Sequence, residues 1–161
     1  MQLDGTGSHL PPPDSGPGAR IAVLVARFNT EITEELRRCC VEGLTDQGVA
    51  AGDIDVYHVP GAWELPQAAR RVAATRRHDA IIALGCVIRG ETAHFDYVVG
   101  EAARGLGEVA RGLDIPLLFG VLTTDTVEQA QTRAGRTEGN KGRELAVSAL
   151  GMLDLYSELD G

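Results

Sequence analysis

His94 stands in the segment GCVIRGETAHFDYV, where an apolar run gives way through Gly90 to a helical pattern opened by Glu91, Thr92 and Ala93. The free backbone N–H groups of a helix start, with the positive end of its dipole, form an anion site. Thr92 has a hydroxyl to add to that site, or to cap the helix. An imidazole ordinarily titrates near 6.5, so it suits proton transfer around neutrality. Phosphate binding beside a general acid/base is therefore one reading of this segment. A bare strand–turn–helix unit with a capping or surface histidine is the other. His9, His58 and His78 fall in a terminal stretch, a strand and a helix end, and are given no chemistry. No histidine or cysteine cluster has metal-ligand spacing, so no metal is expected.

A second source of charge lies in residues 133–143, RAGRTEGNKGR. There Arg133, Arg136, Lys141 and Arg143 face one acid, Glu138, in a chain of net charge −8. Lys141 is the protein's only lysine. An arginine here suits bidentate phosphate binding, and a solvated loop offsetting the acidic remainder suits the same composition. Phe28 and Trp63 follow two strand ends in a chain with only 4% aromatics. Flat rings there can stack on a heteroaromatic ligand, bury at a subunit interface or join the core. Glu64 begins a helix, where a carboxylate is favourable in any case. Cys39, Cys40 and Cys86 read as small buried hydrophobes with nothing nearby to activate a thiolate.

The elements that must position these residues follow from hydrophobic patterning. The 161 residues, 43% hydrophobic and 24% charged, make one globular domain. The acidic balance argues against nucleic acid as partner. The longest strictly apolar run, Ile21–Ala26, is far too short to cross a membrane. No basic segment followed by an apolar one opens the chain, and three cysteines make no disulfide framework. A soluble cytoplasmic protein is the expectation. Residues 1–18 hold four of seven prolines and four of twenty glycines, and read as a flexible arm ahead of a single domain at 19–161. Strands are expected at Arg20–Ala26, Asp53–Val59, Ala80–Ile88 and Ile115–Leu122. Helices are expected from Thr30 (a cap) to about Leu44, Glu64 to Arg77, Thr92 to Leu113, Thr126 to Ala134 and Gly139 to Leu159. That alternation predicts a three-layer α/β/α sandwich on a four-stranded parallel sheet, with ligands at the carboxyl ends of the strands.

Read together, RFNTEIT, VPGAWELP, LGCVIRGETAHFDYV, FGVLTTDT and RAGRTEGNKG, in this order and spacing over about residues 20–157, closely resemble the lumazine synthase family. The resemblance implies a flavodoxin-like sandwich and the penultimate step of riboflavin biosynthesis. In that step 5-amino-6-ribitylaminouracil condenses with 3,4-dihydroxy-2-butanone 4-phosphate, giving 6,7-dimethyl-8-ribityllumazine, phosphate and water, without cofactor or metal. It implies pentamers with active sites between adjacent subunits, and makes riboflavin synthase a candidate partner. The short RAGRTEGNKG connection is compatible with a 60-subunit shell, while the Pro-rich arm leaves that open.

Carried over by position, the resemblance has Phe28 stacking on the pyrimidine with Asn29 nearby. Ala62, Trp63 and Glu64 would line the ribityl pocket, and Cys86, Val87 and Ile88 would meet the heterocycle through backbone groups. Glu91, Thr92 and Arg133 would hold the phosphate, and His94 would transfer protons. Phe119 would arrive from the neighbouring subunit to close the ring pocket, with Lys141 approaching the same region. Trp63 and Cys86 depart from the residues usual at their positions. The rival readings are a non-catalytic lumazine- or flavin-binding carrier shell, an FMN-binding flavodoxin-like domain and an archaeal-type riboflavin synthase. The phosphate-site residues argue against the first and third. The second lacks its phosphate loop, since Arg27-Phe28-Asn29 follows the first strand.

Overall fold

The computed structural model describes residues 11–137 and 139–161. Four strands, β1 (Ile21–Ala26), β2 (Ile54–Val59), β3 (Ala80–Ile88) and β4 (Leu117–Thr124), form one parallel sheet in the order β2-β1-β3-β4. Five helices connect or follow them: α1 (Thr30–Asp46), α2 (Leu65–Ala74), α3 (His94–Arg111), α4 (Val127–Ala134) and α5 (Lys141–Asp160). Because strand side chains alternate between faces, β1 serves two cores at once. Ile21, Val23 and Val25 pack with Leu36 and Leu44 of α1 and with Leu145 and Leu150 of α5. Ala22, Leu24 and Ala26 pack with Leu65 and Ala69 of α2 and Ala102 and Leu106 of α3. Helices on both faces explain why β1 is apolar throughout.

The expected three-layer architecture is present, with shifts at element ends. β4 begins at Leu117 rather than Ile115, since Pro116 has no N–H for the ladder; its carbonyl instead accepts from Ile81 N at 2.9 Å. β4 also runs on to Thr124, pairing with Ile88. α2 starts at Leu65, after a 3-10 turn at Ala62–Glu64, and ends at Ala74; Arg76, at φ +55°, turns the chain away. α3 starts at His94, so Glu91 and Thr92 precede the helix rather than open it. Thr30 does not cap α1. Asn29 holds that position at φ +60°, and the Thr30 hydroxyl donates back to the Arg27 carbonyl.

Part of the expected flexible arm is tied down. Asp14 N and Ser15 N donate to Asp154 on α5 at 3.0 and 2.8 Å, joined by the Ser15 hydroxyl. Pro13 and Gly16 are buried, and a Cβ on Gly16 would lie 1.8 Å from the Gln47 carbonyl oxygen. Residues 1–10 of the arm, His9 among them, lie outside the described residues, as does Glu138. No helix among the described residues is long and apolar enough to cross a membrane.

Candidate active site

The order β2-β1-β3-β4 reverses direction between β1 and β3, and a parallel sheet opens a crevice at the carboxyl ends of such a pair. A cleft of about 320 Å³ lies there. Three connections meet in it: Phe28 and Asn29 after β1, Gly61, Ala62 and Trp63 after β2, and Cys86, Val87, Ile88, Gly90, Thr92 and His94 around the end of β3.

Backbone bonds fix these connections to one another. Arg27 N donates to the Val59 carbonyl at 2.8 Å and Phe28 N to that of Pro60 at 3.2 Å, extending the β1–β2 ladder past both strands. Phe28 is thereby held beside the Gly61–Trp63 turn. Across the sheet, Asn29 Nδ2 donates to the Cys86 carbonyl at 2.8 Å. The left-handed φ of Asn29 is one that asparagine tolerates better than most residues.

Phe28 and Trp63 are 73% and 55% exposed. Two large rings left out of the core at a cleft mouth set aside the core-packing alternative; a ligand or a second subunit is what would cover them. Glu64 flanks the cleft rather than lining it, and a Cβ on Gly61 would lie 3.3 Å from its Oε2. Burial pushes the Cys86 thiol up to about 11, so it remains protonated at neutral pH. Burial likewise raises Cys39 and takes Cys40 up to about 12.

His94 and Thr92 both line the cleft and are exposed. The Thr92 hydroxyl accepts from His94 N at 3.4 Å, which leaves its own proton available to a ligand. Glu91 is exposed and contributes no lining. Phe95 and Val98, not among the site residues expected from the sequence, also line the cleft. Val98 is one turn beyond His94, and that four-residue spacing was the available signal.

The basic loop divides into two kinds of residue. Arg136 pairs with Glu42 at 2.6 Å, Lys141 with Glu144 at 2.9 Å and Arg143 with Asp46 at 2.7 Å. These three charges neutralise acids on α1 and α5. Arg133 meets no carboxylate among the described residues; its Nη1 lies 3.4 Å from the carbonyl of Thr123, which is in register with Val87 of the cleft. Neither Arg133 nor Lys141 lines the cleft, and Phe119 lies elsewhere. Phe119, 43% exposed, borders a separate concavity with Leu106 and Ala110, several turns along α3 from His94. Among the described residues no cluster of three His, Cys, Asp or Glu side chains forms a metal site. His58 and His78 pair with Glu34 and Asp55, each at 2.7 Å.

Two comparisons bear on this geometry. A family model described as 6,7-dimethyl-8-ribityllumazine synthase matches residues 18–157. A curated protein of that name from Gemmatimonas aurantiaca is 53% identical over 141 residues, covering 88% of this chain and 86% of the relative.

Proposed function

The chain belongs to the 6,7-dimethyl-8-ribityllumazine synthase family, and on that premise we propose how its cleft works. The protein is a transferase of riboflavin biosynthesis. It condenses 5-amino-6-ribitylaminouracil with 3,4-dihydroxy-2-butanone 4-phosphate to give 6,7-dimethyl-8-ribityllumazine, releasing phosphate and water. The observation that carries the site reading is the meeting of Phe28, Trp63, Thr92 and His94 in one cleft at the β1/β3 switch point.

In this reading the pyrimidine stacks on Phe28, with the ribityl chain running past Ala62 and Trp63 toward the Glu64 carboxylate. Backbone groups of Val87 and Ile88 meet the ring edge. The Cys86 carbonyl already serves Asn29, so Cys86 acts chiefly by placing that side chain. The phosphate sits at the start of α3 on the N–H groups of Glu91 and Thr92 and the Thr92 hydroxyl, where the helix dipole favours negative charge. Arg133 supplies the guanidinium that stabilises phosphate as it leaves.

Imine formation, phosphate loss and ring closure each move a proton, and His94 exchanges those protons beside the phosphate. Holding two substrates in register lowers the barrier further, by up to ~7–11 kcal/mol in ideal cases. No cofactor or metal enters the scheme.

Phe119 and Lys141 stand away from the cleft of their own chain. A second copy that brings them to a neighbour's cleft accounts for this and for the exposed rings, which supports a pentamer with shared sites. Closure of twelve pentamers into a shell, and docking of riboflavin synthase, are further steps of the same proposal. Three free, buried cysteines suit a reducing cytoplasmic setting.

The test is to mix purified protein with both substrates and follow lumazine fluorescence and phosphate release together, after subtracting the uncatalysed rate. Saturable, stoichiometric appearance of both products supports the reading. Lumazine or riboflavin binding with no turnover above background points to the carrier shell instead.

A further inference from the structure

Arg89 stands directly after β3, outside the cleft lining and outside every role given above. Its backbone N–H donates to the Thr124 carbonyl at 2.8 Å, adding one rung to the β3–β4 ladder. Its Nε donates to Asp125 Oδ1 at 2.8 Å, its Nη1 lies 3.7 Å from Asp96 Oδ1, and its Cζ sits 4.4 Å from the centre of the Phe95 ring. Asp125 is fixed in turn, since its N–H donates to Gln129 Oε1 on α4 at 2.9 Å.

One planar guanidinium thus joins the β4–α4 corner to the first turn of α3. Between the ends of this bracket runs Gly90–His94, the segment assigned to phosphate and proton transfer. That segment is thinly bonded. A Cβ on Gly90 would meet nothing within 4 Å. Apart from the helix ladder that His94 begins, its hydrogen bonds among the described residues are the 3.4 Å contact of His94 N with Thr92 Oγ1 and a 3.1 Å bond from Asp96 N to the Ala93 carbonyl. Such a loop keeps its shape through its ends. A guanidinium suits this task, because its edge serves a carboxylate while its face covers a ring.

We propose that Arg89 is a positioning residue: through Asp125 and the Phe95 ring it sets the Gly90–His94 loop for the phosphorylated substrate. The inference rests on reading that loop as the phosphate site. Phe28 is held instead by the β1–β2 rungs, so its place in the cleft does not depend on Arg89.

The experiment is steady-state kinetics of R89A, D125A, R89K and the R89A/D125A double variant beside the wild type, with thermal unfolding of each. R89A and D125A each raise KM for the butanone phosphate, and Ki for inorganic phosphate, by about five- to tenfold, as expected for losing a cation–π contact and a charged hydrogen bond. KM for the pyrimidine and the unfolding temperature stay near wild type. The double variant is no worse than R89A, because Asp125 acts through Arg89. R89K recovers part of the loss by keeping a cation over Phe95.

An unchanged KM for the phosphorylated substrate overturns the proposal. So do parallel shifts in both KM values and in unfolding temperature, which would make Arg89 only a fold-stabilising contact. A KM effect in R89A without one in D125A overturns positioning in favour of direct substrate contact. If the wild type forms no lumazine, the reading of the function fails by itself. Calorimetric binding of inorganic phosphate to wild type and R89A then still decides the claim about the loop.

Discussion

Asn29 reaches from the end of β1 to the end of β3 and donates its amide to the Cys86 carbonyl at 2.8 Å, coupling the Phe28 loop to the strand that leads into the Gly90–His94 loop. Two separate features of Asn29 are in use: tolerance of φ +60° and a donor of the right length. Asn29→Gly keeps the first and loses the second. It should leave stability within about 1 kcal/mol of wild type and raise KM for the pyrimidine. Asn29→Ala loses both and should cost about 1–2 kcal/mol more than the glycine variant, from the left-handed backbone. Urea denaturation with pyrimidine KM values separates the two effects.

The thiol across from Asn29 is predicted to be chemically silent. Burial raises Cys86 to about 11, so the folded protein retains the proton after an unfolded chain, near the ordinary 9, has lost it. Its contribution therefore weakens stability as pH rises above 9 and has no effect near neutrality. Cys86→Ala, which keeps the carbonyl, should leave kcat unchanged. Iodoacetamide labelling of this thiol should be slow at pH 7. Rapid labelling with loss of activity would mean that the strand end opens to solvent.

Arg133 is predicted to act on the phosphorylated substrate alone. Its neighbours Arg136 and Arg143 are committed to Glu42 and Asp46. Arg133→Ala should raise KM for the butanone phosphate at least about tenfold, the scale of a lost charge-assisted bond, with pyrimidine binding unaffected. Arg136→Ala should leave both KM values alone and shift only stability. Kinetics of the two variants side by side check this division.

Asp154 pins residues 14 and 15 to α5, and the Ser15 hydroxyl, aided by the two backbone donors and opposed by slight burial, holds its carboxyl below the ordinary 3.8. A depressed carboxyl contributes stability above its unfolded value and loses it as pH falls through the folded one. The latch is thus intact at neutral pH and weakens only below about pH 3.8. Asp154→Ala should cost about 1 kcal/mol, kept small because the site is partly exposed. Limited proteolysis should then cut near residues 11–18 in the variant and spare the wild type.

What could be read in advance had a local cause. β3 matches its expected bounds because Ala80–Ile88 is an apolar stretch interrupted only by Gly85 and set between polar ends, and β1, an unbroken apolar run, differs by one residue. The five helices followed from 3.6-residue periodicity, while their ends shifted where a turn such as Arg76 or a 3-10 segment intervened. Phe28, Trp63, Thr92 and His94 were found because they follow strand ends, where parallel sheets bind ligands. The bond from Asn29 to Cys86 spans 57 positions and that from Ser15 to Asp154 spans 139. Neither leaves a periodic trace. Arg89 reads as one more exposed charge until Phe95 and Asp125 are seen on either side of it.

We propose that His94, at the first turn of α3, moves protons for a condensation held in this cleft. The deciding measurement is kcat and kcat/KM of His94→Ala against wild type, with lumazine and phosphate followed together. In the variant kcat should fall by about 10²-fold, the lower range for loss of a positioned acid/base, while some turnover persists because both substrates are still held together. Unchanged kcat and kcat/KM would remove His94 from the chemistry and leave the cleft as a binding site alone.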